Sequence, residues 1–229
     1  MSFMAACFIG AGLIAYTSLD YFFGEEMHPF ILEKLPLPHE SLWLAALKTH
    51  VIAAVFTLPA CTLLLSQGLL RGWPRVHRWL GRITGLAVLG ALVPSGAWLA
   101  LFAKGDLAGT LGFLLSGLII AVAMVNAVRH ARARRFALHQ RSMWHVMAQM
   151  SVAVSSRALM LVLDQTPLDE TVTYLVALWV PVIGSAALVE WLCPPATSLR
   201  TPAHEKHPGV TVVPAVAERL RRAPVTLGQ

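Results

Sequence analysis

Six stretches of this chain stay apolar for about the length of a bilayer crossing. They run roughly over residues 3–23, 42–65, 83–103, 111–128, 143–163 and 172–192. A hydrocarbon layer about 30 Å thick needs about 20 helical residues at 1.5 Å each. Backbone N–H and C=O groups find no partners in lipid, so only helices and closed barrels span it. Barrel strands alternate apolar with polar residues, whereas these runs are continuous, so the sequence predicts helices. Of 229 residues, 56% are hydrophobic and 13% charged, against about a quarter charged in soluble domains. That excludes an ordinary soluble domain, a disordered chain and a nucleic-acid-binding module. The expected fold is all-α, an integral membrane bundle of six helices over residues 1–193. Residues 194–229 form a polar, proline-rich tail expected to be mostly disordered.

Charge placement sets the expected threading. Arg71, Arg75, Arg78 and Arg82 lie between the second and third runs. Arg129, Arg132, Arg134, Arg135 and Arg141 lie between the fourth and fifth. Arg200, Lys206, Arg219, Arg221 and Arg222 lie in the tail. These are 14 of the 18 Lys and Arg residues. Only Lys34, Lys48 and Lys104 fall on the opposite side, and Arg157 is inside a run. The positive-inside rule then puts both termini in the cytoplasm. The expected location is a bacterial inner membrane, with the lipid bilayer as the first partner. The first run has no basic residue before it, so it reads as a retained helix and not a secretory leader. Cys7, Cys61 and Cys193 have no CxxC spacing and read as inert thiols. Gly81 and Gly85 have the GxxxG spacing that permits close helix approach, in this chain or in a homo-oligomer. Pro59, Pro94 and Pro181 fall inside helices and should bend them.

Ionisable groups inside membrane helices are functional candidates because they are costly there. Near the external ends these are Asp20, His50 and Arg157. The depths of His50 and Arg157 match, at roughly 9–12 Å, and Asp20 is shallower. Three readings of Arg157 stand: a structural arginine held by carbonyls and loop acids (Asp20, Glu25 or Glu26), a ligand pocket shared with His50, or snorkelling to the interface. Because a charged guanidinium facing lipid is costly, Arg157 should point into the bundle, toward the first two helices, and not toward lipid. At the cytoplasmic end stand His77, Arg78, Arg82, His139, Arg141 and His145, with Gln149 on the same helix face as His145. They read as an anion or headgroup site, as haem ligands, or as residues that fix topology. Two bis-histidine haems b need a pair near each surface. His77, His139 and His145 could supply one pair, but His50 has no embedded partner, so at most one haem b fits. No metal site and no hydrolase motif is expected from the spacing.

Three features occur in order: His50, the box His77-Arg78-Trp79-Leu80-Gly81-Arg82, and the box His139-Gln140-Arg141-Ser142-Met143 followed by Arg157. This set resembles the multi-pass bacterial membrane family catalogued as domain-of-unknown-function family 2306. The resemblance covers about half the chain. Ser142 stands where that family usually has an aromatic residue, and His145 where it has Arg. It implies fold and topology, and carries no reaction. Three functions are compatible with these residues: a binding or accessory subunit with a polar pocket near the external face, alone or joined to another membrane protein; a haem-b electron carrier or membrane reductase; and a small proton or anion transporter.

Overall fold

A computed structural model describes residues 2–19, 22, 29–34, 36, 37 and 39–193. Asp20, the loop acids Glu25 and Glu26, and the tail lie outside the described residues. Every regular element among the described residues is helical. The helices are α1 (Ser2–Ser18), α2 (Pro29–Lys34), α3 (Glu40–Leu64), α4 (Gln67–Gly72), α5 (Pro74–Ala100), α6 (Asp106–Arg132), α7 (Phe136–Leu163) and α8 (Glu170–Leu192). Helices α3, α5, α6, α7 and α8 are long and apolar enough to cross a membrane. At 17 residues, α1 is about 26 Å long, just short of the hydrocarbon thickness. The chain is a membrane helical bundle.

Several helices outrun their apolar stretches. Helix α5 begins at Pro74, nine residues before the apolar run over 83–103, so the His77–Arg82 box is helical and not a loop. Helix α6 likewise takes in Asp106 at one end and Arg132 at the other, and α7 begins at Phe136. A helix satisfies its own backbone in water as well as in lipid, so polar residues extend it past the bilayer edge. The added residues also suit the helix dipole. Arg129, His130 and Arg132 occupy the last turn of α6, where cations are favoured. Asp169 caps α8 by accepting from the Thr171 and Val172 backbone N–H groups at 2.8 and 3.2 Å.

Helix α7 is central. It packs against α6 and α8 most extensively, and against α1 and α3 on its other side, while α5 packs on α3 and α6. The core cluster joins Cys7 and Ala11 of α1, Ala53, Leu58 and Cys61 of α3, Val88 and Leu92 of α5, and Ile120 and Met124 of α6 to Met143, Val146, Met147 and Met150 of α7. Helix α1 approaches α7 closely because Gly10 has no side chain. A Cβ there would sit 2.5 Å from Val154 Cγ1. Gly85 is buried against Met124 and Val128 of α6, so the GxxxG spacing serves packing within the chain. Outward-facing residues such as Leu86, Leu118 and Ile183 are large, apolar and exposed, as a lipid-facing surface requires.

Pro94 has a visible effect. Proline lacks an N–H, and its ring collides with the carbonyl four residues back. The turn before it, Val88–Leu92, widens to a π-helix, with the Val93 N–H bonded to the Val88 carbonyl. Such bulges mark places where a helix backbone is loosened, frequently at functional sites.

Candidate functional site

Two clusters of ionisable groups emerge, one at each end of the bundle. We call the end carrying the 65–73 and 133–135 connections the basic end.

At the opposite end, His50 projects from α3 onto the loosened stretch of α5. Its Nδ1 lies 3.1 Å from the Leu92 carbonyl oxygen and 3.3 Å from Ser95 Oγ. The Ser95 hydroxyl donates to the Ala91 carbonyl at 2.6 Å. A carbonyl oxygen can only accept, so Nδ1 carries the ring proton. The neutral ring then keeps its lone pair on Nε2, an orientation also used to present histidines to metals and protons. Gly96 makes the seat. A Cβ there would fall 2.9 Å from His50 Cε1 and 3.2 Å from Nδ1. Sequence reading found His50 but not its seat, because a carbonyl acceptor has no residue signature. Pro94, two residues before Gly96, is the one signal that α5 is loosened here.

Arg157 is close enough to His50 for their charges to interact. It continues the α7 stripe of Met143, Met147, Met150 and Val154, which faces α1 and α3. Those residues are buried or partly buried, but Arg157, one turn beyond Val154, is exposed. Its Nη1 donates to the Ala153 carbonyl at 2.7 Å, one turn back toward the middle of the bundle and away from the nearer end. Lys48 adds a further cation at this end, with its ammonium 5.9 Å from the centre of the Phe22 ring. The expected counter-ion, Asp20, lies outside the described residues.

At the basic end, His139 repeats the pattern of His50. Its Nδ1 donates to the Ala127 carbonyl of α6 at 2.9 Å, which leaves Nε2 with the lone pair. His77 of α5 is within electrostatic reach of His139. Its Nδ1 is buried without a hydrogen-bond partner. Arg82 is exposed and stacks on Trp79, 5.3 Å from the ring centre.

The structure separates His145 from these two. Arg141, His145 and Gln149 are four residues apart and form one polar stripe against α8. Arg141 pairs with Glu190 and donates through Nε to the Cys193 carbonyl at 2.7 Å. His145 Nε2 is 3.0 Å from Glu190 Oε1. Gln149, 2% exposed, accepts from Ser116 Oγ at 2.9 Å and donates to the Val182 carbonyl at 2.9 Å and Ser185 Oγ at 3.1 Å. Every hydrogen-bonding group of that amide but one lone pair is used, so the stripe is structural. Glu190 was not singled out from sequence, although an acid in the last apolar run is itself the signal. Among the described residues, no group of three or more His, Cys, Asp or Glu side chains is placed to hold a metal ion.

A family model described as "Predicted membrane protein (DUF2306)" matches residues 47–193, more than half of the chain. The chain belongs to this family. The match takes in His50, both boxes and Arg157, the features on which the resemblance was read. No curated protein and no solved structure matches the DUF2306 protein.

Proposed function

We propose that this DUF2306 protein is a membrane-embedded binding unit whose site, between α1, α3 and α7 at the end away from the arginine-rich connections, takes a small anion together with a proton. The observation that carries the reading is Arg157. It sits roughly 9 Å from the end of α7, on the stripe that faces the bundle, yet it stays exposed beside an imidazole with a free nitrogen. A guanidinium at that depth is costly unless an anion, carbonyls or water meet it, and one carbonyl is its only partner among the described residues. Protonation of His50 at Nε2 would add a second positive charge facing the same ligand. Lipid is the first partner in this reading. A further membrane protein or a second copy of the chain fits the apolar outer surface. The arginine distribution favours a bacterial inner membrane with both termini cytoplasmic.

The test is thermal unfolding of detergent-purified full-length protein with acetate, benzoate and inorganic phosphate as probes. A ligand at 100 times its Kd stabilises the folded state by about 2.7 kcal/mol. At least one probe should raise the Tm of the wild type, more so at acidic pH. The shift should vanish in Arg157→Leu and partly survive in Arg157→Lys, which keeps the charge but not the planar fork. Equal responses in wild type and Arg157→Leu would refute the reading. So would no response to any probe.

A further inference from the structure

We propose that the outer side of the α5–α6 seam, at the basic end, is a binding site for one anionic phospholipid, held by Arg78 and Arg82 of α5 and Arg129 and Arg132 of α6. This site lies at the other end of the bundle from the anion site above and does not depend on it.

Gly85 fixes the seam. A Cβ there would lie 3.7 Å from Met124 Sδ and 3.9 Å from Val128 Cγ2, so this face of α5 meets the Met124–Val128 stripe of α6. Residues 88–100 of α5 pack their backbone on α6, whereas residues 74–87 pack on α3. The seam therefore opens toward the basic end. Helix periodicity places the arginines on it. Arg78 stands two turns before Gly85 and Arg132 one turn after Val128, so both continue the stripes that meet. Arg82 and Arg129 are rotated off those stripes by less than a third of a circle. The helices are antiparallel, so both rotations go to the same side of the seam. That side is the exposed one, and all four arginines are exposed. At 1.5 Å per residue, Arg82 lies about 4.5 Å beyond Gly85 and Arg132 about 6 Å beyond Val128, so the two start from nearly one level.

The charge finds no answer within these helices. Helix α5 carries no acid, and the single acid of α6, Asp106, opens its far end. Ion pairs among the described residues take Lys104, Arg141 and His145, and none of these four. The positive-inside rule asks only for a count of cations, in any rotational setting; here four share one side of one seam. Farther from the basic end the same side turns apolar. Leu86 of α5 and Val122 and Leu118 of α6 are all exposed there, and they offer a wall to acyl chains. Trp79 is also exposed and holds the Arg82 guanidinium 5.3 Å from its ring centre, and tryptophan is enriched at headgroup level. Stacking on a ring face leaves the guanidinium N–H groups for phosphate oxygens. Cations at the mouth with apolar side chains beneath match a phosphodiester that carries acyl chains. Basic pockets between membrane helices hold anionic headgroups in this way.

The test titrates detergent-purified full-length protein with phosphatidylglycerol, phosphatidylcholine of the same chains and glycerol 3-phosphate, with bound lipid counted by native mass spectrometry. One phosphatidylglycerol per chain should bind in preference to phosphatidylcholine, and glycerol 3-phosphate should not displace it. Each arginine near the membrane surface contributes about five-fold, so Arg82→Gln combined with Arg132→Gln should weaken binding about 30-fold. Arg71→Gln combined with Arg135→Gln removes the same charge outside the seam and should leave the affinity unchanged. Equal losses in the two double variants would overturn the proposal in favour of diffuse attraction to the whole basic end. Displacement by glycerol 3-phosphate would overturn it in favour of a site for the bare headgroup anion. A wild type that binds phosphatidylglycerol and phosphatidylcholine alike would overturn it as well, and that measurement requires no variant to fold.

Discussion

Replacing Gly96 by Ala should unseat His50, and the structure gives the size of the effect. The new methyl would lie 2.9 Å from Cε1 and 3.2 Å from Nδ1, whereas ordinary contacts are about 3.5–4.0 Å. Relief requires the ring to move by more than half an ångström. The Nδ1 to Leu92 distance is already 3.1 Å, so a shift of that size away from α5 takes it beyond hydrogen-bonding range. Crowding of one methyl into a packed site costs about 1–3 kcal/mol. The lost hydrogen bond adds about 0.6 kcal/mol, the average within membranes. Together they come to about 1.6–3.6 kcal/mol, or a roughly 15- to 400-fold change in the folding equilibrium. Reversible unfolding in mixed micelles reads the stability, and the 15N chemical shifts of the His50 ring read its tautomer. Gly96→Ala should lower stability by that amount and abolish the Nδ1-protonated signature. His50→Ala should rescue most of the stability lost by Gly96→Ala, because the clash partner is gone. If Gly96→Ala keeps wild-type stability and an unaltered His50 spectrum, the seat described here is wrong.

The remaining predictions concern the packing and the threading. Gln149→Leu removes three hydrogen bonds at nearly constant volume. At about 0.6 kcal/mol each in a membrane, it should destabilise the bundle by about 2 kcal/mol in the same unfolding assay; equal or greater stability would contradict a structural role for the stripe. A cysteine placed by Glu33→Cys, in a chain whose native cysteines are removed, should react with an impermeant thiol reagent on intact bacterial cells. Arg134→Cys should not react, and the reverse pattern would invert the topology.

The helices were legible because continuous apolar runs have only one way to satisfy their backbone in lipid. Their ends were not. Apolarity stops where the bilayer stops, whereas hydrogen bonding carries α5 back to Pro74 and α6 on to Arg132. The same division holds for the sites. His50, His77, His139 and Arg157 stood out as ionisable groups in or beside apolar runs. What each one touches did not, because the partners of His50 and His139 are main-chain carbonyls at helix crossings. His145 shows the converse. Its place beside His139 in sequence suggested a shared site, but the two point to different helices, α8 and α6. Six residues along a helix put them on different faces.

The stripe of Arg141, His145 and Gln149 has a consequence for how the last helix finds its place. Apolar helices in lipid have little reason to prefer one rotational setting, since a leucine meets lipid tails as readily as another leucine. Helix α8 is different. Cys193, Glu190 and the Val182–Ser185 turn meet α7 at three levels, in antiparallel order. Rotation of α8 by a quarter turn, or a slip of one turn along α7, breaks all three levels together. The stripe therefore acts as a key that fixes both the angle and the height of α8. Until α8 arrives, the same stripe leaves the Arg141 guanidinium, the His145 imidazole and the Gln149 NH2 group without the partners that α8 supplies. A chain released before residue 170 should for this reason be held as unfinished by membrane quality control, even though its first helices are all in place.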